Sequence, residues 1–240
     1  MLKTILMYTA ALLPVVVLLG YVYRKDPHKE PMWGIIKAFL WGTAICLPVA
    51  VAELFILSGL FGNNTTPETL FGTTIRAFCV AAAPEEAAKL LALWIVLRKN
   101  PHFDETFDGI VYAVCIGLGF AAVENVLYVV DAENWTSVAI MRALLAVPGH
   151  YAFAIIMGYY YSVYHFIDHS FKNAFCIFFV PFMAHGVYDS LAMSGMADPV
   201  VGGIAFFVLI FFCIKMQHQA HRCINELAHP ILYHGDDKYE

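Results

Sequence analysis

Residues 70–97 read LFGTTIRAFCVAAAPEEAAKLLALWIVL. As a helix this run is long enough to cross a bilayer, which takes roughly 20 apolar residues. Near its middle, however, it carries Pro84-Glu85-Glu86-Ala87-Ala88-Lys89. A charged side chain at the bilayer centre costs about 2.5–3.5 kcal/mol on insertion scales. Such groups persist only when they are paired or act on something. Read as a membrane crossing with ionisable groups inside it, this stretch places the chain in the all-α, polytopic membrane class.

Working outward, the rest of the chain fits that class. Its 240 residues are 60% hydrophobic and 14% charged, with mean hydropathy +0.68. Soluble domains are about 45–50% apolar and about 25% charged. The excess arrives in runs of membrane-crossing length. Seven transmembrane helices are expected, at about 2–23, 33–61, 70–97, 108–130, 138–164, 173–194 and 199–217. Turn chemistry separates them at Arg24-Lys25-Asp26-Pro27, Asn63-Asn64-Thr65-Thr66-Pro67, Lys99-Asn100-Pro101 and Ala197-Asp198-Pro199. No small-x-small cleavage site follows the first run, so it reads as an uncleaved span. A single integral membrane domain covers 1–240, with a core at about 70–195 and a polar tail over 218–240.

Lys and Arg set the orientation. Odd-numbered loops hold Arg24, Lys25, Lys29, Arg98, Lys99 and Lys172, and the tail adds Lys215, Arg222 and Lys238. Even-numbered loops hold acids only: Glu68, Asp131, Glu133 and Asp198. The N-terminus is expected outside and the C-terminus in the cytoplasm. Net charge is −5 without a long basic run, which argues against a nucleic-acid partner. Cys46, Cys79, Cys115, Cys176, Cys213 and Cys223 form no CxxC pair and read as small apolar thiols. His218, His221, His229 and His234 read as part of a solvated juxtamembrane segment.

Spans three to six concentrate the polar groups. Glu85 and Glu86 are four and three residues before Lys89, so the lysine can reach either. One carboxylate is then paired, and the other is a candidate general base. Span four ends its small-residue run Gly117-Leu118-Gly119-Phe120-Ala121-Ala122-Val123 at Glu124-Asn125. Span five has Pro148-Gly149-His150, and span six has His185-Gly186-Val187-Tyr188-Asp189. The i, i+4 spacing puts His185 and Asp189 on one helix face, so Asp189 can orient His185. Glu53 in span two stands apart, towards the outer interface. Counted along antiparallel spans, Glu85/Glu86, Glu124, His150, His185 and Asp189 fall within roughly two helical turns, about 11 Å. Pro84, Pro148 and Pro181 free backbone carbonyls at that level, which implies a water-containing cavity.

Glutamate, histidine and trapped water suit hydrolysis: a carboxylate deprotonates water, and imidazoles stabilise the oxyanion or protonate the leaving amine. At these residues the sequence resembles the PrsW-type glutamic intramembrane proteases, relatives of the type II CAAX prenyl endopeptidases. Glu85-Glu86-x-x-Lys89, Phe120-x-x-x-Glu124-Asn125 and His185-x-x-x-Asp189 carry the resemblance. The CAAX endopeptidases have a longer Glu-Glu-x-x-x-Arg spacing and usually Asn at the last position. The resemblance implies a metal-independent endopeptidase in a bacterial plasma membrane, with Glu85 or Glu86 activating water. It also implies a single-pass membrane protein as substrate, typically an anti-sigma factor, cut near the extracytoplasmic face. Two rival readings remain open. One is a zinc protease using His150, His185 and a glutamate, although no His-Glu-x-x-His helix is present. The other is a proton-coupled transporter, which the lack of a visible inverted repeat disfavours. Haem ligation by His150 and His185 has no further support.

Overall fold

In lipid a backbone must satisfy its own polar groups, and helices do so within one segment. The computed structural model describes residues 1–62 and 69–228, and among these it contains helices and connecting turns but no strand. In chain order they are α1 (Leu2–Lys25), α2 (Met32–Phe61), α3 (70–97), α4 (Asp108–Asp131), α5 (Trp135–Ile167), α6 (Phe171–Met196) and α7 (Pro199–Ala228). All except α3 are long and apolar enough to cross a membrane, six in number among the described residues. With these helices the chain is a multi-pass membrane protein. The turn at Asn63-Asn64-Thr65-Thr66-Pro67 and the side chains of Glu68, His229, His234 and Lys238 lie outside the described residues.

α3 is continuous in chain but not in hydrogen-bond register. Leu70–Ile75 is α-helical, Arg76–Ala82 is π-helical, and Ala83–Leu97 is α-helical again. α5 repeats the device, with a π-helical Arg142–Ala146 before Val147. In both cases a proline follows the wide turn, Pro84 in one and Pro148 in the other. A proline cannot donate to the ladder, and the wider turn re-registers the chain around it. The N–H of Ala83 reaches the Phe78 carbonyl, and that of Val147 reaches the Arg142 carbonyl. These two irregularities sit one turn before Glu85/Glu86 and His150.

α4 is the central post. Its apolar window is 78% buried, against 22% in α1 and 11% in α2. It packs on α1, α2, α3 and α5. Glycine makes the closest approaches possible: a Cβ on Gly158 of α5 would collide with the Gly109 carbonyl oxygen of α4, and one on Gly42 of α2 with the Ile116 carbonyl. Small residues at such crossings let helix backbones meet where no hydrophobic driving force exists between helices.

α7 runs past the expected end at 217. Ala220, Cys223, Ile224 and Leu227 are buried, and the Tyr159 hydroxyl donates to Glu226 at 2.7 Å. Up to Ala228 the tail is therefore helix packed on one face, while His218 and His221 stay exposed as expected.

At the end of the bundle where α1 turns into α2, buried acids tie three helices together. The Asp26 carboxylate accepts the backbone N–H groups of His28 and Glu30 at 3.1 and 3.2 Å. The Tyr112 hydroxyl of α4 donates to Glu30. Asp108 Oδ2 accepts the N–H groups of Asp104 and Glu105 at 3.0 and 2.8 Å. Loss of water around them pushes the Asp26 and Glu30 carboxyls above their ordinary range.

Two outcomes are expected. Gly158→Val should destabilise the detergent-solubilised protein by about 1–3 kcal/mol, read as a lower Tm. Because the folded pKa of Glu30 is raised, its proton favours the folded state. That contribution is full below the unfolded carboxylate range and is lost as pH rises through the folded value. Tm of the native chain should therefore fall over that window, and Glu30→Gln, which still accepts from Tyr112, should flatten the fall.

Candidate active site

The wide turn of α3 delivers Glu85 and Glu86 into the bundle, and Lys89 follows them on the same face. The Lys89 ammonium lies 2.9 Å from Glu85 Oε2 and 2.8 Å from Glu86 Oε1. It therefore pairs with both carboxylates. From α5, His150 Nδ1 lies 3.2 Å from the same ammonium. From α6, His185 Nδ1 lies 2.8 Å from Glu86 Oε1, and its Nε2 lies 3.3 Å from Asp189 Oδ2 and 4.0 Å from Glu85 Oε2. Glu85, Glu86, Lys89, His150 and His185 are each at most 5% exposed. Phe153 stacks on the His185 ring at 5.0 Å, and Phe120 lies 4.4 Å beneath the ammonium.

The partners assign the ring protons. An ammonium only donates, so His150 Nδ1 presents its lone pair to Lys89 and Nε2–H donates to Glu124 Oε2 at 2.8 Å. Carboxylates only accept, so an imidazolium at His185 satisfies Glu86 and Asp189 with its two N–H groups. Asp189 thus stands where it orients His185, as its i, i+4 spacing requires.

Glu124 reaches across to α5 twice: besides His150, its Oε2 lies 2.9 Å from Arg142 Nη2. Asn125 faces away from the cluster: its Oδ1 accepts from Arg142 Nε at 2.6 Å, and its amide donates to the Ala11 carbonyl of α1 at 2.6 Å. The sequence reading passed over Arg142. Its signal was a second arginine inside an apolar run, seven residues after Trp135 and at the depth of Glu124. Gln217 of α7 was also missed. Its amide donates to the Pro148 carbonyl at 2.7 Å, just ahead of His150.

A cavity of about 870 Å³ opens on this cluster. Glu85, His150, His185 and Asp189 line it, while Glu86 and Lys89 sit behind them. Glu53, Arg76, Glu124 and Arg142 also reach its wall.

The donor chemistry bears on a metal. Glu85, Glu86, His150 and His185 each offer a ligand atom, and these atoms lie within 4.8 Å of one another. Two imidazoles and a carboxylate form a zinc-type set. Glu86 Oε2 is buried with no protein partner among the described residues. The four donors therefore fit a divalent cation, provided the Lys89 ammonium yields its place among them.

Comparison with known proteins agrees with this architecture. A family model described as PrsW family intramembrane metalloprotease matches residues 30–216. Protease PrsW of Oceanobacillus iheyensis is 34% identical over 204 residues, covering 85% of this chain and 90% of the relative. Protease PrsW of Geobacillus kaustophilus is 34% identical over 224 residues, covering 92% and 95%. That of Bacillus subtilis is 27% identical over 220 residues, covering 90% and 96%. No solved structure matches the chain significantly. With its buried glutamates and histidines in a multi-pass helical bundle, and these relatives along most of its length, the chain belongs to the PrsW family of intramembrane proteases.

Proposed function

We propose that this chain is a glutamic-type endopeptidase of the bacterial plasma membrane. It cuts a single-pass membrane protein near the extracytoplasmic face. The observation that carries this reading is the convergence of Glu85, Glu86, His150 and His185 at one cavity wall. An anti-sigma factor is the substrate class that the family resemblance implies. In this reading α3 is a seventh crossing: its two central carboxylates share the Lys89 ammonium, and Glu86 also meets the His185 imidazolium, which lowers their cost in lipid. The distribution of Lys and Arg then puts the N-terminus outside and the C-terminus in the cytoplasm.

Glu85 is the better placed base. It lines the cavity, while Glu86 is fully buried behind it and occupied by Lys89 and His185. Glu85 takes a proton from water, and the water oxygen attacks the scissile carbonyl carbon. His185 and the nearby ammonium stabilise the developing oxyanion. The C–N bond then breaks, and the proton held by Glu85 passes to the leaving amine. A carboxylic acid and an amine are released. Glu124 holds His150 in one tautomer, and Asp189 holds His185 in orientation.

A second reading, metal-assisted hydrolysis, is favoured by the four donors and by the description of the matching family model. His150, His185 and Glu85 or Glu86 would hold the ion. When bound, it would lower the pKa of a ligated water and polarise the scissile carbonyl. Against it, the Lys89 ammonium already supplies positive charge to three of the four donors.

Co-expression with tagged single-pass anti-sigma factors, followed by immunoblot, tests the base. Glu85→Gln should lose at least about 100-fold of cleavage while still inserting. His185→Ala should be comparably severe and Asp189→Asn milder, since an amide oxygen still accepts from the imidazole. Full activity in Glu85→Gln rejects the base. A larger loss in Asp189→Asn than in His185→Ala reverses their roles. Chelation separates the two readings: cleavage by purified protein should survive phenanthroline and EDTA. Loss that added zinc restores establishes the metal reading instead.

A further inference from the structure

Glu53 is the one carboxylate on the cavity wall that the chemistry above leaves unused. It belongs to α2, which supplies no catalytic group. Among the described residues its side chain has no hydrogen-bond or ion-pair partner, whereas Glu85, Glu124 and Asp189 each have one. It shares the cavity wall with Glu85, Glu124 and Asp189. Arg142 on the same wall is committed to Glu124 and Asn125. An intramembrane carboxyl without a partner is costly, and its persistence marks a functional position.

Its depth indicates what it meets. Glu53 lies eight residues before Phe61, and Glu85 lies fifteen residues after Leu70, at the same end of the bundle. At about 1.5 Å per residue these are about 12 and 22 Å from that end, so Glu53 is displaced from Glu85 by about 10 Å. An extended peptide covers about 3.3 Å per residue, so about three residues bridge that distance. Leu54 and Leu57 line the wall beside Glu53. An apolar flank with an acid at its edge suits a side chain with an aliphatic stem and a cationic head.

We propose that Glu53 is a specificity-determining residue that receives a lysine or arginine of the substrate, about three residues from the scissile bond towards the α2–α3 end of the bundle. The inference rests on the protease reading of the cavity and adds to it the class of residue the substrate must present.

The test uses the full-length chain co-expressed with a doubly tagged single-pass reporter built on an anti-sigma factor membrane segment. Lysine, and separately glutamate, is scanned through successive positions on that side of the cut. With the native chain, lysine near the third position should be cleaved about tenfold more efficiently than glutamate, a difference of about 1.4 kcal/mol. Glu53→Gln should remove the preference, and Glu53→Lys should invert it. Indifference of the native chain to the scan, or a preference that persists in Glu53→Gln, overturns the proposal. A second measurement does not depend on turnover. In the Glu85→Gln background, a photo-crosslinking residue introduced at position 53 should capture the reporter most strongly near the third position. Capture that is uniform or absent overturns the proposal. The base and the specificity residue fail separately. Cleavage surviving Glu85→Gln while Glu53→Lys still inverts the preference rejects the base alone. Cleavage lost in Glu85→Gln with no inversion in Glu53→Lys rejects the specificity residue alone.

Discussion

One ammonium group organises this protein. Lys89 lies within 2.9 Å of two glutamates and 3.2 Å from an imidazole nitrogen, in a place nearly closed to solvent. Two adjacent carboxylates in an apolar helix repel each other, and burial alone would neutralise both. A shared cation lets them stand side by side with their oxygens directed. Through Glu86 the same cation is coupled to His185 and Asp189, and through His150 to Glu124 and Arg142. Groups from α3, α4, α5 and α6 are thereby joined by charge-assisted hydrogen bonds, which are stronger than neutral ones. Without the cation, burial and mutual repulsion would drive protons onto the pair, so the lysine is a condition of a charged site.

The scaffold serves that cluster. α4 gives up side-chain volume at Gly109 so that α5 can approach closely, and this brings His150 to Glu124. Wide turns before Pro84 and Pro148 rotate the following residues inward at the level where they are needed. π-helical turns inside α-helices are frequent at functional sites, and here two of the three among the described residues sit immediately before the candidate catalytic groups on separate helices, the third ending α5 at Val163–Ile167. Residues of α2 through α7 line the cavity, with Leu54, Leu57, Phe206 and Leu209 among its apolar walls.

Much of this was legible in the sequence because lipid makes polarity informative. Helix class followed from run length. The site residues followed from their cost in hydrocarbon and from a shared depth counted along antiparallel spans. Lys89 was visible from spacing alone. Other features were not visible, for definite reasons. Arg142 looked like one more residue of an apolar run, because its role depends on the register of α5 against α4. Asn125, adjacent to Glu124, turns a further 100° around the helix and meets α1 instead of the cluster. Glu53 reads as near the interface because the other polar residues of α2, Lys37, Thr43 and Ser58, do not fall on one helix face with it. The packed continuation of α7 to Ala228 was hidden by its polar composition: its buried stripe of Ala220, Cys223, Ile224 and Leu227 is narrow. The acids at the α1–α2 turn, of which Glu30 is held by Tyr112, read as loop charge.

The central claim is spatial: an acid from α3 and imidazoles from α5 and α6 share one pocket. A high-resolution cryo-EM structure of the full chain in lipid nanodiscs tests it most directly. The expected result places Glu85, His150 and His185 around one cavity, with Glu86 and His185 at hydrogen-bond distance, about 3 Å. Side chains of these residues turned towards lipid, or separated by an intervening helix, would contradict it.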